Sequence, residues 1–392
     1  MRDDVRRVEP LGRTLRAATG AVCACALCAS SACVSPLPGV ARVGNPALET
    51  IKPGYEGNCY GYGRFCGKHV SAGSETLGRF VRWKLAERSG DGAADERFEM
   101  SASKADRRAY LSEPSLTWLG HGSVLLRLGG RTIVVDPLLS SPRFFHGERS
   151  SEAPLRAADI EVDYLLVSHG HRDHLDQRTV RELGGASIRA YVPLKMGHLL
   201  ERWNARITVQ EAGWYQRFDT DSPVAVYLLP AHHWHRRSLF DTNRILWGSY
   251  LIEYDGLTVY LAGDSGYSGH FKAIGELFED IDYAVLPIGS YAPEELVGAS
   301  HMTPEEAVWA FDDLGAGTLV PIHYGTYRLS PEPWSEPLRR LDRQIEDGRI
   351  AEEAVDVVGI GETIRLDPGR DVPGRGRRAD DVDSSRSSTS PP

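Results

Sequence analysis

The chain has 392 residues, of which 41% are hydrophobic and 25% are charged. This composition is typical of a globular protein, and the chain is long enough to bury a substantial core without disulfides. A formal net charge of −9 argues against nucleic acid as the main partner, because phosphate backbones select basic surfaces. It leaves an acidic substrate open, since a metal ion can supply positive charge locally.

Residues 1–33 are predicted to be an export signal. An arginine-rich stretch precedes the apolar run 17–32, which is too short to span a bilayer comfortably and ends in small residues. The sequence S-S-A-C at 30–33 resembles a bacterial lipoprotein cleavage site, although Ser30 stands where an apolar residue is usual. The alternatives are an ordinary cleavage site and an N-terminus extended by a misplaced start codon. We therefore predict export to the bacterial cell envelope, with Cys33 as the candidate lipid anchor.

Residues 34–107 are rich in Gly and Pro near their start and are predicted to form a linker or wrapping arm with a short helix around 75–88. In an oxidising compartment Cys59 and Cys66 either pair or remain two free thiols. No cysteine follows Cys66, so a metal site further along must use nitrogen and oxygen ligands. Residues 368–392 are of low complexity and are predicted to be disordered.

Between residues 108 and 367, short β runs alternate with helices, which indicates an α/β fold with helices on the outer faces of sheet. The predicted strands are 116–120, a hairpin with its turn at Gly129-Gly130, 164–168, 224–230, a hairpin over 249–264 with Asp255-Gly256 at its tip, 283–289 and 318–323. A helix over 303–314 is predicted to begin with a capping box of Thr303 and Glu306.

The stretch S-H-G-H-R-D-H-L-D at 168–176 directly follows a predicted strand. Sites in sheet-and-helix folds gather at the C-terminal ends of strands. His169 and His171 can converge on one metal ion, while Asp173 and His174 can point to a second. Imidazole and carboxylate suit zinc, and also iron or manganese. The spacing therefore predicts half of a site for two metal ions.

The remaining ligands must come from other strand ends. His233, Asp264 and His323 each follow a predicted strand, and the carboxylate of Asp264 is suited to bridge two cations. His232 and His235 flank His233 and are alternative ligands.

Other polar residues near these strand ends have predicted supporting roles. Asp136 and His121 are expected to accept or fix the outer N–H groups of metal-binding histidines. His301, which precedes the helix at 303, either contacts substrate and helps to protonate a leaving group, or only caps that helix or supports a ligand. Arg236 and Arg237 either contact a substrate phosphate or are simply solvated.

The pattern H-x-H-x-D-H, followed by His, Asp and His, resembles the metallo-β-lactamase superfamily. The resemblance implies an αββα sandwich, with residues 108–367 as the catalytic domain and two zinc ions at one edge. It implies two ligand sets and one bridge: His169, His171 and His233 for one metal, Asp173, His174 and His323 for the other, and Asp264 between them. It also favours His233 over its two histidine neighbours, and we assign Asp173 and His301 catalytic roles.

Longer blocks, such as H-W-H-R-R-S-L-F-D-T-N-R-I-L-W-G-S-Y at 233–250, resemble the N-acylphosphatidylethanolamine-hydrolysing phospholipase D family and its bacterial relatives. That resemblance implies hydrolysis of a phosphodiester by a hydroxide that bridges two metals. The alternatives are hydrolysis of a lactone, cyclic phosphodiester or amide, and a non-catalytic zinc-binding envelope protein. The predicted partners are a phospholipid or another small phosphodiester, a membrane surface and a second copy of the chain, with no nucleic acid.

Overall fold

The computed structural model describes residues 39–70, 101–140 and 149–369. The predicted export signal with Cys33, the helix around 75–88 and residues 370–392 lie outside these ranges. The described residues belong to one compact unit that starts at Gly39. Among them, no helix combines the length and the apolar character that crossing a membrane requires.

The first described segment folds into a small antiparallel sheet of three strands, β1 (Val40–Val43), β2 (Asn58–Gly61) and β3 (Arg64–Cys66). Cys59 and Cys66 stand opposite each other in the β2–β3 register and form a disulfide. The prediction of a linker or wrapping arm missed these strands, because three or four residues are too few to show an alternating hydrophobic pattern.

A seven-stranded sheet forms one layer of the main domain. Its strands are β4 (Ser115–Gly120), β5 (Ser123–Leu128), β6 (Arg131–Val135), β7 (Tyr164–Leu166), β8 (Ile188–Pro193), β9 (Ile207–Ala212) and β16 (Thr363–Arg365). The order is β16-β4-β5-β6-β7-β8-β9, antiparallel as far as β6 and parallel from β6 to β9. Gly129 and Gly130 form the predicted β5–β6 turn, with φ values of 58° and 74°.

A six-stranded sheet forms the second layer. Its strands, in spatial order, are β10 (Gln216–Arg217), β11 (Ala225–Leu229), β12 (Ser249–Tyr254), β13 (Leu257–Leu261), β14 (Tyr283–Pro287) and β15 (Thr318–Ile322). Neighbours are antiparallel from β10 to β13 and parallel from β13 to β15. Asp255 and Gly256 turn the β12–β13 hairpin with positive φ, as a two-residue turn of this type needs.

The helices are α1 (Arg107–Tyr110), α2 (Gln177–Glu182), α3 (Gly197–Trp203), α4 (His270–Gly275), α5 (Glu294–Val297), α6 (Pro304–Leu314) and α7 (Glu336–Glu346), with 3-10 turns at Ala157–Asp159 and Glu352–Ala354. The predicted capping box starts α6, where the Thr303 side chain accepts from the Glu306 N–H and the Glu306 side chain accepts from the Thr303 N–H.

The two large sheets pack face to face, with helices outside. Alternate residues of β5 point to opposite sides: Val124 and Leu126 join the core shared with the six-stranded sheet, whereas Leu125 joins a second core with residues of α2 and α3. On the other side α6 packs on β14 and on α4. The predicted αββα sandwich is therefore confirmed.

Candidate metal centre

The predicted donor residues meet at one edge of the sandwich, because each follows a strand end. The loop with His169, His171, Asp173 and His174 leaves β7, and Asp136 follows the neighbouring parallel strand β6. From the other sheet, His233 follows β11, Asp264 follows β13 and His323 follows β15. Parallel register between β13, β14 and β15 brings the last two to the same level.

A first donor set consists of three histidines. His169 Nε2 lies 2.9 Å from His171 Nδ1, and His233 Nε2 lies 3.2 Å from the same Nδ1. Neither His232 nor His235 is in this group: the His232 N–H donates to Ser265 Oγ at 3.0 Å, and the His235 ring stacks at 6.5 Å from His171.

A second donor set lies beside the first. His174 Nε2 is 3.2 Å from His323 Nε2 and 3.7 Å from Asp173 Oδ2. His121 joins this group through its Nε2, which lies 3.1 Å from Asp173 Oδ2.

The carboxylate of Asp264 lies between the two sets. Its Oδ2 is 3.7 Å from His169 Nε2 and 3.2 Å from His174 Nε2, while its Oδ1 is 3.0 Å from His323 Nε2. Asp264 is buried, so water does not screen its charge from these rings. The position is the one that a bridging carboxylate requires.

Hydrogen bonds fix the outer nitrogens of several rings. His174 Nδ1 is 2.8 Å from Asp136 Oδ2, His233 Nδ1 is 3.1 Å from the Ser300 carbonyl oxygen, and His169 Nδ1 is 3.0 Å from Ser168 Oγ. Asp136 also accepts from the Ser168 N–H at 2.7 Å. With each outer nitrogen protonated and donating to its partner, the inner nitrogen of the ring would offer its lone pair to a cation in the centre.

The electrostatic environment suits a cation. Burial, reinforced by neighbouring histidines, holds the pKa of His169 and His233 well below the ordinary value, so both rings are neutral. Burial alone would also lower the pKa of His174, but the carboxylates of Asp264 and Asp173 outweigh it and raise that pKa well above its ordinary value. The carboxylates of Asp264 and Asp173 therefore favour a positive charge at the second set.

The donor geometry fits metal ions. Nitrogen ligands about 2.0–2.1 Å from a tetrahedral zinc lie about 3.4 Å apart, close to the separations between these ring nitrogens. The inner nitrogens of His169 and His233 face His171 across 2.9 and 3.2 Å, as lone pairs aimed at a shared cation would. The donors are nitrogen and oxygen, which suit zinc, iron and manganese alike.

Arg237 has a role that the sequence did not indicate. Its Nη1 donates to the carbonyl oxygens of Gly170 at 2.9 Å and Leu175 at 2.7 Å, both in the loop after β7. Burial lowers the pKa of this guanidinium to about 10, which leaves it charged at neutral pH. Arg237 thus holds the loop in place, whereas Arg236 lies over the Trp234 ring, 5.1 Å from its centroid.

At two glycines the missing side chain leaves room for a histidine ring. This role was not predicted from the sequence for either glycine. A Cβ on Gly122 would lie 2.7 Å from His174 Cε1, and one on Gly170 would overlap the His235 ring at Cε1. Only alignment of related sequences would have drawn attention to these positions, because a single glycine has many uses.

His301 and Asp176 occupy the margins of the site. His301 Nδ1 lies 3.9 Å from Asp264 Oδ2, and 17% of the His301 side chain is exposed. Asp176 caps α2 by accepting from the Thr179 N–H at 2.8 Å, and it also binds Ser140 Oγ at 2.7 Å. His301 therefore lies between the donor sets and solvent, while Asp176 braces the loop.

Comparisons with known proteins agree with this geometry. The model of the β-lactamase superfamily domain matches residues 131–324. An uncharacterised protein of Mycobacterium tuberculosis is 35% identical over 273 residues, which cover 67% of this chain and 72% of that protein. The N-acyl-phosphatidylethanolamine-hydrolyzing phospholipase D 1 of Caenorhabditis elegans is 32% identical over 253 residues, 59% of this chain and 70% of the relative.

More distant proteins match as well, one by sequence and one by structure. A metal-dependent hydrolase of Methanopyrus kandleri is 29% identical over 245 residues, which cover 59% of this chain and 94% of the relative. The crystal structure of an isothiocyanate hydrolase from Delia radicum gut bacteria superposes with a TM-score of 0.52 at 19% identity, over 64% of this chain and 99% of that one. The chain therefore belongs to the metallo-β-lactamase superfamily, as one of its metal-dependent hydrolases.

Proposed function

We propose that the chain is a phosphodiesterase of the phospholipase D type that acts on phospholipids of the N-acylphosphatidylethanolamine class with two metal ions, zinc being the first choice. The observation that carries this proposal is the position of Asp264, which lies within 3.0–3.7 Å of ring nitrogens from both donor sets. The similarity to the C. elegans phospholipase supports the substrate class.

In this proposal each side chain has one task. His169, His171 and His233 hold the first metal, Asp173, His174 and His323 hold the second, and Asp264 bridges. When bound, the two metals would lower the pKa of a water molecule between them and polarise a phosphoryl oxygen.

The reaction needs a proton for the leaving group. The oxygen of water forms a bond to phosphorus, and the bond from phosphorus to the headgroup oxygen breaks, which leaves phosphatidic acid and a free headgroup alcohol. Burial lowers the pKa of His301, so its ring is neutral and has no extra proton to give. We assign to His301, whose partly exposed ring lies beside Asp264 on the open side of the site, the relay of the proton lost by the attacking water to the leaving oxygen. Asp173 lies 3.1 Å from His121 Nε2, and this contact fixes the position of its carboxylate within the second donor set. Arg236 is the proposed phosphate contact.

A lipid surface is the proposed source of the substrate. Leu239 and Phe240 are 75% and 77% exposed in the loop that follows His233, and Arg236 and Arg244 lie in the same stretch. Apolar side chains next to arginines are suited to a membrane interface with anionic lipids. The Cys59–Cys66 disulfide supports an oxidising compartment, and so the proposed export to the cell envelope. Anchoring through Cys33 and a homodimer remain predictions.

The test is a substrate panel with the purified, zinc-loaded protein. N-acylphosphatidylethanolamine, phosphatidylcholine, a generic bis-phosphodiester and a lactone are incubated separately, and products are quantified by mass spectrometry. We expect phosphatidic acid and the N-acylated headgroup from the first substrate, and slower turnover of the others. Lactone cleavage without any phosphodiester turnover would contradict the proposal and favour the alternative hydrolases.

A further inference from the structure

The loop that carries His233 is held from outside the sandwich by the small sheet of β1, β2 and β3. Val70, four residues after β3, pairs with His233 itself in an isolated parallel bridge. The N–H of Phe65 in β3 donates to the carbonyl oxygen of Asn243 at 2.7 Å. The segment that precedes the main domain therefore contacts His233, a proposed metal ligand, directly.

The contact at Asn243 continues to the first donor set. The Asn243 N–H donates to the His235 carbonyl oxygen at 2.8 Å, and the Asn243 side-chain oxygen accepts from the His235 N–H at 3.0 Å. The His235 ring fills the space beside Gly170 and lies nearly parallel to the His171 ring, with 6.5 Å between centroids. Through Asn243, Phe65 therefore supports His235, whose ring lies beside the ring of His171.

A third chain of hydrogen bonds to the ligand loop begins in β2. The Asn58 side-chain oxygen accepts from the Trp214 N–H at 3.0 Å, and Trp214 Nε1 donates to the Trp247 carbonyl oxygen. Trp247 Nε1 in turn donates to the Ala231 carbonyl oxygen at 2.9 Å. The β2–β3 hairpin and Val70 just after it therefore support residues 231, 233 and 235 of the ligand loop.

The second donor set has different supports. Asp136 at the end of β6 holds His174, and His121 in the β4–β5 turn lies against Asp173. The His323 N–H donates to the His121 carbonyl oxygen at 3.1 Å. These supports belong to the seven-stranded sheet and not to the hairpin.

We propose that the hairpin closed by Cys59 and Cys66 is a positioning device for the first donor set, an inference that rests on the proposed dinuclear site. The disulfide joins β2 and β3. The contacts of β2 lead to Ala231 beside His233, and those of β3 lead through His235 to His171, so the disulfide restricts both chains of contacts at once. Breaking it loosens the metal held by His169, His171 and His233, and leaves the metal of the second set in place.

The experiment compares zinc release from the full chain with that from the Cys59→Ser/Cys66→Ser variant, using a chromophoric chelator. We expect one zinc equivalent to leave at least about tenfold faster in the variant, the size seen when outer supports of a metal ligand are lost, and the other at an unchanged rate. In a His323→Ala background, which disables the second set, the remaining zinc should show the whole acceleration.

Two further variants separate positioning from general loosening. Asn243→Gly keeps the disulfide and allows the positive φ of 56°, but it removes the side-chain oxygen that accepts from His235, and it should reproduce the selective release. Asn45→Ala, just after β1, removes the bond from Asn45 Nδ2 to the Glu211 carbonyl oxygen at 2.8 Å and the bond from the Ala47 N–H to Asn45 Oδ1 at 3.1 Å. Both lie away from the ligand loop, so this variant should leave both release rates unchanged.

Equal acceleration of both zinc equivalents, or of neither, would overturn the inference. The outcome is independent of the substrate: a chain that binds two zinc ions without cleaving phosphodiesters refutes the proposed substrate only. If the wild type binds a single zinc at the first donor set, the dinuclear site fails, but faster release of that zinc in the cysteine variant would still support the hairpin's role and an unchanged rate would refute it. A single zinc at the second donor set would overturn the inference.

Discussion

At the scale of single residues, substitution of Asp173 tests the chemistry of the site separately from the stability of the fold. Its carboxylate lies 3.7 Å from His174 Nε2 and 3.1 Å from His121 Nε2. Asp173→Asn keeps the shape and removes the charge of a proposed metal ligand, so we expect turnover to fall by at least about 100-fold, more than the loss of an outer support costs. Metal content, measured by mass spectrometry, should fall towards one ion per chain.

The matched control lies in the same loop. Asp176→Asn keeps an oxygen that can accept from the Thr179 N–H and from Ser140, and it does not touch either donor set. Because Asn caps helices about as well as Asp, it should change the free energy of unfolding by less than about 1 kcal/mol and leave metal content unchanged. Full activity in Asp173→Asn would remove Asp173 from the proposed mechanism.

The two adjacent arginines should behave differently on mutation. Arg237→Ala leaves the carbonyls of Gly170 and Leu175 without their charged donor, so we expect the free energy of unfolding to fall by about 2 kcal/mol in urea titrations. Arg236→Ala should change that free energy by less than about 0.5 kcal/mol and should raise KM for a phosphodiester. A KM unchanged in Arg236→Ala would refute its proposed contact with phosphate.

Sequence reasoning located residues whose chemistry is rare and missed residues whose chemistry is common. The structure brings the seven predicted histidines and aspartates together at one edge of the sandwich, while their role as metal ligands stays a prediction. His235 was named as an alternative ligand, yet it packs between Gly170 and Asn243, since only the folded loop decides which of three histidines points inward. Arg237, Gly122 and Gly170 were not assigned these roles, because their partners lie far away in sequence.

At the scale of elements, the loop over 236–243 is the proposed contact with lipid. Its apex carries Leu239 and Phe240, while Asp241 holds its base by accepting from the Arg237 and Ser238 N–H groups at 3.0 and 2.8 Å. Leu239→Ser/Phe240→Ser should weaken binding to anionic vesicles by about tenfold or more, since burying each side chain contributes about 1.5–3 kcal/mol.

Sedimentation with vesicles measures that binding, and hydrolysis of a water-soluble bis-phosphodiester serves as the control. The soluble substrate should be cleaved at the wild-type rate, because neither side chain belongs to a donor set. Unchanged vesicle binding in the double variant would place the membrane contact elsewhere on the chain.

Elements with strong local signals were predicted well. The hairpins at Gly129-Gly130 and Asp255-Gly256 and the capped helix α6 depend on turn and cap chemistry within a few residues. The strands β1, β2 and β3 were missed because they are short and depend on a disulfide and on contacts with Trp214 and Asn243, which are distant in sequence.

At the scale of the whole molecule, the sandwich does not depend on metal for its core. The main hydrophobic cluster runs through both sheets and contains none of the proposed ligands. Chelation with EDTA should therefore leave a folded protein by circular dichroism, with the Tm lowered by at least about 5 °C because ligand binding to the native state is lost. Global unfolding on chelation would instead show that the metals hold the fold together.

The central claim is that one buried carboxylate joins two metal ions. The most direct measurement is anomalous diffraction from crystals of the zinc-loaded protein at the zinc edge. We predict two peaks about 3.5–4 Å apart, one within reach of His169, His171 and His233, the other near His174 and His323, with Asp264 between them. A single peak at full zinc loading, or two peaks of which one lies away from Asp264, would contradict the account.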